Sequence, residues 1–165
     1  MKEKIYTIPL IDAFKAGDEC PFCFVERQLE QHTMDFVLGS GASYMEDDVR
    51  AETDLETFFD MYRKNPEFRE LFKNSKGFCI PHFGDLVEAA ETALSDKAKR
   101  EFLDILLPMM EENMQRLCDD LDWFCDKFDY RNKDADWRTS KDALPRGMQK
   151  AAGGYPADEP YTMDK

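Results

Sequence analysis

The chain has 165 residues, enough for one domain with a hydrophobic core, and 42% of them are hydrophobic, which excludes a disordered chain. Acidic residues outnumber basic ones by 35 to 22, and the resulting net charge of −13 disfavours binding to nucleic acid or to anionic membrane surfaces. No segment has the ~20 continuous apolar residues of a membrane-spanning helix, and the N-terminus lacks the apolar run of a secretory signal. We therefore expect a cytoplasmic protein.

The first half of the chain has the apolar spacing of short helices. Five helical segments are predicted, at residues 8–16, 21–38, 44–53, 55–62 and 68–72. Gly17 ends the first of them, and Asn65-Pro66 predicts a turn before the last. The sequence assigns no role to residues 54–75.

The second half contains the longest predicted helix. Three helical segments are predicted there, at residues 80–94, 96–130 and 140–150. Ser95 and Asp96 cap the long helix, whose apolar stripe runs from Phe102 to Phe128 at the 3.6-residue period. Pro108 lies inside this stripe and is expected to kink the helix or split it.

No segment alternates apolar and polar residues as a strand would. The predicted fold class is therefore all-α, an irregular helical bundle that forms a single domain over residues 1–152. Residues 153–165 are predicted to be a loosely attached tail.

Two short pairs that begin with cysteine carry the chemistry, Cys20-Pro21-Phe22-Cys23 and Cys79-Ile80-Pro81-His82. Three thiols and one imidazole are the ligands of a closed tetrahedral metal site, which zinc favours. The proline in each pair predicts a helix start, where the helix dipole and unpaired N–H groups stabilise a thiolate. We predict that Cys20, Cys23, Cys79 and His82 converge on one ion and tie their helices together, in a structural rather than an enzymatic role.

Other interpretations use the same cysteines. Cys20 to Cys23 has the letters of a glutaredoxin active site, although that dithiol follows a strand and opens the helix of a βαβ unit, a context missing here. An iron–sulfur cluster is the rival metal centre, because spacing does not separate it from zinc. The remaining alternative is an interaction module without a metal. The sequence is compatible with a protein partner or a homodimer and specifies neither.

Two further cysteines, Cys118 and Cys125, are seven residues apart on the long helix. The distance between them along a helix, about 10 Å, is too long for a disulfide. We predict that both are buried as small hydrophobic side chains.

Several segments together resemble a known bacterial family. They are Met1 to Pro9, Cys20 to Cys23, Ser43-Tyr44-Met45-Glu46-Asp47-Asp48-Val49-Arg50, Gly77-Phe78-Cys79 with His82, Phe128-Asp129-Tyr130 and Ser140 to Arg146. The family is catalogued only as a domain of unknown function, and the resemblance implies an intracellular helical protein with the same two pairs and no established activity. Some members carry the label of ABC-transporter substrate-binding protein, a role that the missing export signal argues against. Residues 54–75 are longer than the resemblance implies.

Overall fold

The structure is a computed structural model that describes residues 2–28 and 47–154. Within these ranges the chain is helical and has no strand, so the all-α prediction is confirmed. The helices are α1 (Lys2–Ala16), α2 (described over residues 21–28), α3 (Asp47–Lys64), α4 (Pro66–Lys73), α5 (Ile80–Ala93), α6 (Asp96–Asp126) and α7 (Ala143–Ala152), with a 3-10 turn at Tyr130–Asn132. The later part of the helix predicted over 21–38, the start of the one predicted over 44–53 and the tail beyond Gly154 lie outside the described residues.

Two helices of the first half are longer than the sequence predicts. α1 begins at Lys2 rather than at residue 8 and continues through Pro9. α3 is one continuous helix where two segments are predicted, because no glycine or proline interrupts it. The predicted turn before α4 is confirmed: the side chain of Asn65 accepts hydrogen bonds from the backbone N–H groups of Glu67 and Phe68, at 2.9 and 3.2 Å.

The long helix α6 begins as predicted, with Ser95 accepting a hydrogen bond from the backbone N–H of Ala98. It continues past Pro108, so the proline does not split it, and a bend of its axis stays a prediction. α6 ends at Asp126 rather than at residue 130. The chain turns back there, and the buried ammonium of Lys127 donates to the backbone carbonyls of Asn132, Lys133 and Ala135 in the loop that follows.

Three side chains of the helix predicted over residues 96–130 are exposed, two of them on α6 and one beyond its end. Phe128 retains 73% of its accessible surface, and the thiols of Cys118 and Cys125 are exposed. The prediction that these cysteines are buried is wrong. Beyond Leu117, α6 has run past the main core, and packing against α7 and the following loop does not cover these side chains.

None of the helices in the described ranges combines the length and the apolar character needed to cross a membrane.

A cluster of buried rings, called here the aromatic core, fills the bundle. Its members are Phe14, Phe22, Phe58, Phe59, Tyr62, Phe68, Phe72, Phe78 and Phe102. Phe58 lies at the centre, with ring centroids 5.5 Å from Phe68 and 5.6 Å from Phe72 in edge-on geometry. Residues 54–75, to which the sequence assigns no role, therefore supply most of these rings through α3 and α4.

Candidate metal centre

Each cysteine-led pair lies at the N-terminus of a helix, as predicted. Cys20 immediately precedes α2, and its carbonyl accepts a hydrogen bond from the backbone N–H of Phe24 at 3.1 Å. Cys79 is the N-cap of α5, and its carbonyl accepts from the backbone N–H of Phe83 at 2.9 Å. The second ligand of each pair lies three residues further on, in the first helical turn. Residues at this spacing lie on one side of a helix, so both ligands of a pair point the same way.

The loop before Cys79 depends on a glycine. Gly77 has a φ of +77°, which only glycine adopts without strain, and a Cβ on it would lie 2.7 Å from the sulfur of Met110. The same sulfur accepts a hydrogen bond from the backbone N–H of Phe78 at 3.2 Å. These contacts fix the course of the chain into the second pair.

The two pairs are tied to the aromatic core by the phenylalanines beside their ligands. Phe22 lies between the two cysteines of the first pair, and Phe78 directly precedes Cys79 in the second. Their ring centroids are 5.5 Å apart, and Phe22 also lies 5.4 Å from the ring of His82. The core therefore brings together two segments that are far apart in the sequence.

The four predicted ligands converge. The three sulfur atoms and the Nδ1 atom of His82 all lie within 4.8 Å of one another, slightly wider than the separation of about 4 Å expected for ligands of one ion. Nδ1 of His82 lies 3.4 Å from the sulfur of Cys20, 3.5 Å from that of Cys23 and 3.1 Å from that of Cys79. We call these four residues the thiol–imidazole cluster.

Four separations within the cluster, from 3.1 to 3.7 Å, are near or somewhat below the edges of a tetrahedron around a single ion. With metal bonds of about 2.3 Å to sulfur and 2.0–2.1 Å to nitrogen, two sulfurs would lie about 3.8 Å apart, and a sulfur and a nitrogen about 3.6 Å apart. The sulfurs of Cys23 and Cys79 are 3.7 Å apart. In an iron–sulfur cluster the four protein ligands are divided among two or four irons, so ligands of different irons lie farther apart than ligands of one ion do. The geometry therefore suits one ion better than a cluster.

His82 is oriented by an acidic neighbour. Its Nε2 atom lies 3.0 Å from the carboxylate of Glu26, which is one turn beyond Cys23 on α2. A proton on Nε2 donated to Glu26 leaves the Nδ1 lone pair directed at the three sulfurs, the arrangement usual for histidines that bind metals.

In the absence of an ion, the cluster distributes its protons unevenly. Hydrogen bonds to Cys20, Cys23 and His82 hold the pKa of Cys79 far below its usual value, whereas hydrogen bonds to Cys20 and Cys79, together with burial, raise the pKa of Cys23. Burial opposes protonation of His82, but its hydrogen bonds to Cys20, Cys79 and Glu26 outweigh this effect and raise its pKa to about 12. An ion bound here would displace these protons.

The C-terminal end of α7 covers the cluster. Cys20, Cys23 and Cys79 are at most 1% exposed. The backbone N–H of Gly154 donates to the sulfur of Cys23 at 3.3 Å, and Gly153 packs beside Cys79 with a φ of +76°. Residues predicted to be the start of a tail therefore contact the cluster, and the predicted boundary at residue 152 stays a prediction.

The sequence analysis missed the residues that surround the cluster. A local signal existed for Glu26, since it lies three residues after Cys23 on the same helix face. No local signal existed for Lys150, which is 131 residues from its backbone partner Glu19. Only the folding of the chain brings Lys150 and Glu19 together.

Fold and cluster together define a helical protein with three buried thiols and one partly exposed imidazole at two helix N-termini. The chain belongs to a family of unknown function (DUF6062), whose profile matches residues 1–58 and 55–158. Comparison with curated proteins and with solved structures gave no match. Membership confirms the resemblance to a domain of unknown function and brings no activity with it.

Proposed function

We propose that the protein is a zinc protein in which Cys20, Cys23, Cys79 and His82 hold one structural ion. The observation that carries the proposal is the convergence of the four ligand atoms, four of whose separations, from 3.1 to 3.7 Å, are near the edges of a tetrahedron around one ion. We propose zinc as the ion because zinc favours thiolate and imidazole ligands in tetrahedral geometry. Three thiolates and a divalent ion leave one net negative charge, which the N-termini of α2 and α5 stabilise.

A structural role follows from the closure of the site. Four protein ligands leave no open position for water or substrate. The contacts between the two pairs span 56 to 62 residues of sequence, so one ion would close a single long loop of the chain. We therefore infer that the ion stabilises the fold and takes part in no reaction.

Thiol redox chemistry is the second candidate and has less support. A redox-active dithiol needs a thiolate that another molecule can reach. Cys20 and Cys23 are 0% and 1% exposed, so neither thiol lies within reach of another molecule. An enzymatic role for this pair would require the cover over the thiols, which includes Gly153 and Gly154, to open first.

We place the protein in the cytoplasm, where reduced thiols persist and bind metal. We expect no binding to nucleic acid, because a net charge of −13 repels the phosphate backbone. A protein partner or a second copy of the chain remains compatible with both proposals.

The test is elemental analysis of protein purified without oxygen, together with melting and thiol labelling. We expect one zinc per chain, no visible absorption, and a melting temperature that falls by many degrees when a strong chelator is added. Alkylation at neutral pH should modify only the exposed Cys118 and Cys125 in the zinc protein and all five cysteines after chelation.

Three results would overturn this function. Visible absorption with several iron atoms per chain would indicate an iron–sulfur protein. Rapid alkylation of Cys20 in the untreated protein would favour the redox candidate. If the purified protein holds no metal and its melting temperature is the same with and without chelator, the protein would be an interaction module without a metal.

A further inference from the structure

A buried lysine connects the two segments that carry the ligands. Lys150 of α7 is 1% exposed, and its ammonium donates to the carbonyl of Lys76 at 2.6 Å and to the carbonyl of Glu19 at 3.0 Å. Glu19 directly precedes Cys20, and Lys76 lies three residues before Cys79. We call residues 17–20 and 74–79 the ligand loops. One side chain thus binds the backbone of both loops.

The neighbours of Lys150 reinforce this connection. The carboxylate of Glu19 lies 3.7 Å from the ammonium, and Arg116 of α6 donates to both of its oxygens at 2.9 and 2.7 Å. Gln149, next to Lys150, donates to the side chain of Asp18 at 2.9 Å, and the same oxygen accepts the backbone N–H of Cys20 at 3.3 Å. A continuous path of hydrogen bonds therefore runs from α7 to the backbone of the first ligand.

Burial makes this arrangement costly to disturb. A buried carbonyl that loses its hydrogen-bond donor is left without water or protein to replace it, which is unfavourable. A buried carboxylate needs positive charge nearby for the same reason. Without Lys150, the carbonyls of both ligand loops would lose their shared donor, and either loop could relax away from the other. The ligands at the ends of these loops would then lose the separations that suit one ion.

We propose that Lys150 is the positioning residue of the metal centre, holding the two ligand loops at the separation at which their ligands share one ion. It touches none of the four ligand atoms through a hydrogen bond and acts through the backbone of Glu19 and Lys76. The inference rests on the proposed function. It adds that α7, at the far end of the sequence from the first pair, is required for tight metal binding.

The test compares Lys150→Met with a matched control, Lys127→Met. Lys127 is also buried, at 6% exposure, and its ammonium also donates to backbone carbonyls, at 2.7 Å for Asn132 and 3.0 Å for Lys133. Its partners belong to the loop after α6 rather than to the ligand loops. The two variants therefore remove the same type of interaction at different places.

The zinc dissociation constant of the full chain is measured by competition with a chromophoric chelator. The absorption spectrum of the cobalt-substituted protein shows whether the same thiol ligands still bind the metal. We expect Lys150→Met to weaken zinc binding by about 10- to 100-fold, the usual effect of removing support around a metal ligand. The cobalt spectrum should keep its sulfur-to-metal bands. Lys127→Met should lower the melting temperature and leave the dissociation constant within about twofold of the wild type, because its partners lie outside the ligand loops.

Equal zinc affinity in Lys150→Met and the wild type would overturn the positioning role, as would equal weakening in both methionine variants. If Lys150→Met does not fold, Lys150→Gln decides on the same criteria, since its shorter amide cannot reach both carbonyls. A wild-type chain that binds neither zinc nor cobalt would instead refute the proposed function, so the two failures are distinguishable.

Discussion

Phe58 and Cys79 are both completely buried, and the ring of Phe78, the residue beside Cys79, lies 6.2 Å from that of Phe58. The two side chains nevertheless need different surroundings. The ring of Phe58 packs against other rings, and this burial and these edge-on contacts are favourable without a bound ion or proton. Cys79 lies 3.7 Å from one thiol and 3.1 Å from an imidazole, so its environment is complete only when protons or an ion balance the charges.

This difference suggests a division of roles within one bundle. The aromatic core draws most of its rings from α3 and α4, with further rings from α1, α2 and α6, and we expect it to form without metal. The thiol–imidazole cluster draws on α2 and α5 and is covered by α7, where buried charges replace apolar contacts. We expect the core to bring the ligands near one another and the ion to complete the cluster. Each of the following variants tests one side of this comparison.

The largest effect is expected from removing a ligand. Cys79→Ser should abolish stoichiometric zinc binding, because serine is a poor ligand for zinc. With free zinc 10,000-fold above the wild-type dissociation constant, the variant loses about 5 kcal/mol of linked stability. Chemical denaturation with and without zinc measures this loss, and far-ultraviolet circular dichroism should show that most helix remains.

Cys118→Ser is the matched control, since Cys118 is exposed and remote from the cluster. It should bind one zinc and unfold like the wild type. Complete loss of helix in Cys79→Ser would contradict the division of roles, because it would mean that the aromatic core cannot form without the ion.

A somewhat smaller effect is expected from the core itself. Phe58→Ala leaves a cavity among the surrounding rings and should lower the free energy of unfolding by about 3–5 kcal/mol, with zinc stoichiometry unchanged. Phe128→Ala removes a ring that is 73% exposed and should change stability by less than about 1 kcal/mol. Denaturation midpoints and metal analysis of both variants check the comparison. Loss of zinc from folded Phe58→Ala would show that the core and the cluster are not separable.

Local patterns predicted the fold class and the four residues that converge in the cluster. The all-α class followed from apolar periodicity, and the start of α6 from Ser95, because both signals act within a few residues. The convergence of Cys20 and Cys79 followed from ligand chemistry, since two matching pairs that each begin a helix suggest a common ion. None of these inferences required knowledge of how the helices pack.

What the sequence could not predict depends on contacts between distant segments. The exposure of Cys118 and Cys125 reflects where the core ends along α6, which periodicity alone does not specify. The role of residues 54–75 became visible only when their rings met those of Phe22 and Phe78. The contact between Lys150 and Glu19 spans 131 residues and has no counterpart in local pattern.

The smallest of the three effects is expected at the edge of the cluster, where Glu26 orients His82. The side chain of His82 is 16% exposed and that of Glu26 43%, so this is the most open part of the cluster. Glu26→Gln keeps the size of the side chain but replaces a charged acceptor by a neutral one. Zinc affinity should fall by about 10- to 100-fold, equivalent to about 1.4–2.7 kcal/mol, with little change in stability without metal. Competition with a chelator measures the affinity, and Glu88→Gln, an exposed site on α5, should leave it unchanged. Unaltered affinity in Glu26→Gln would mean that packing against Phe22 alone orients the imidazole, and the aromatic core would then account for the geometry of the fourth ligand as well.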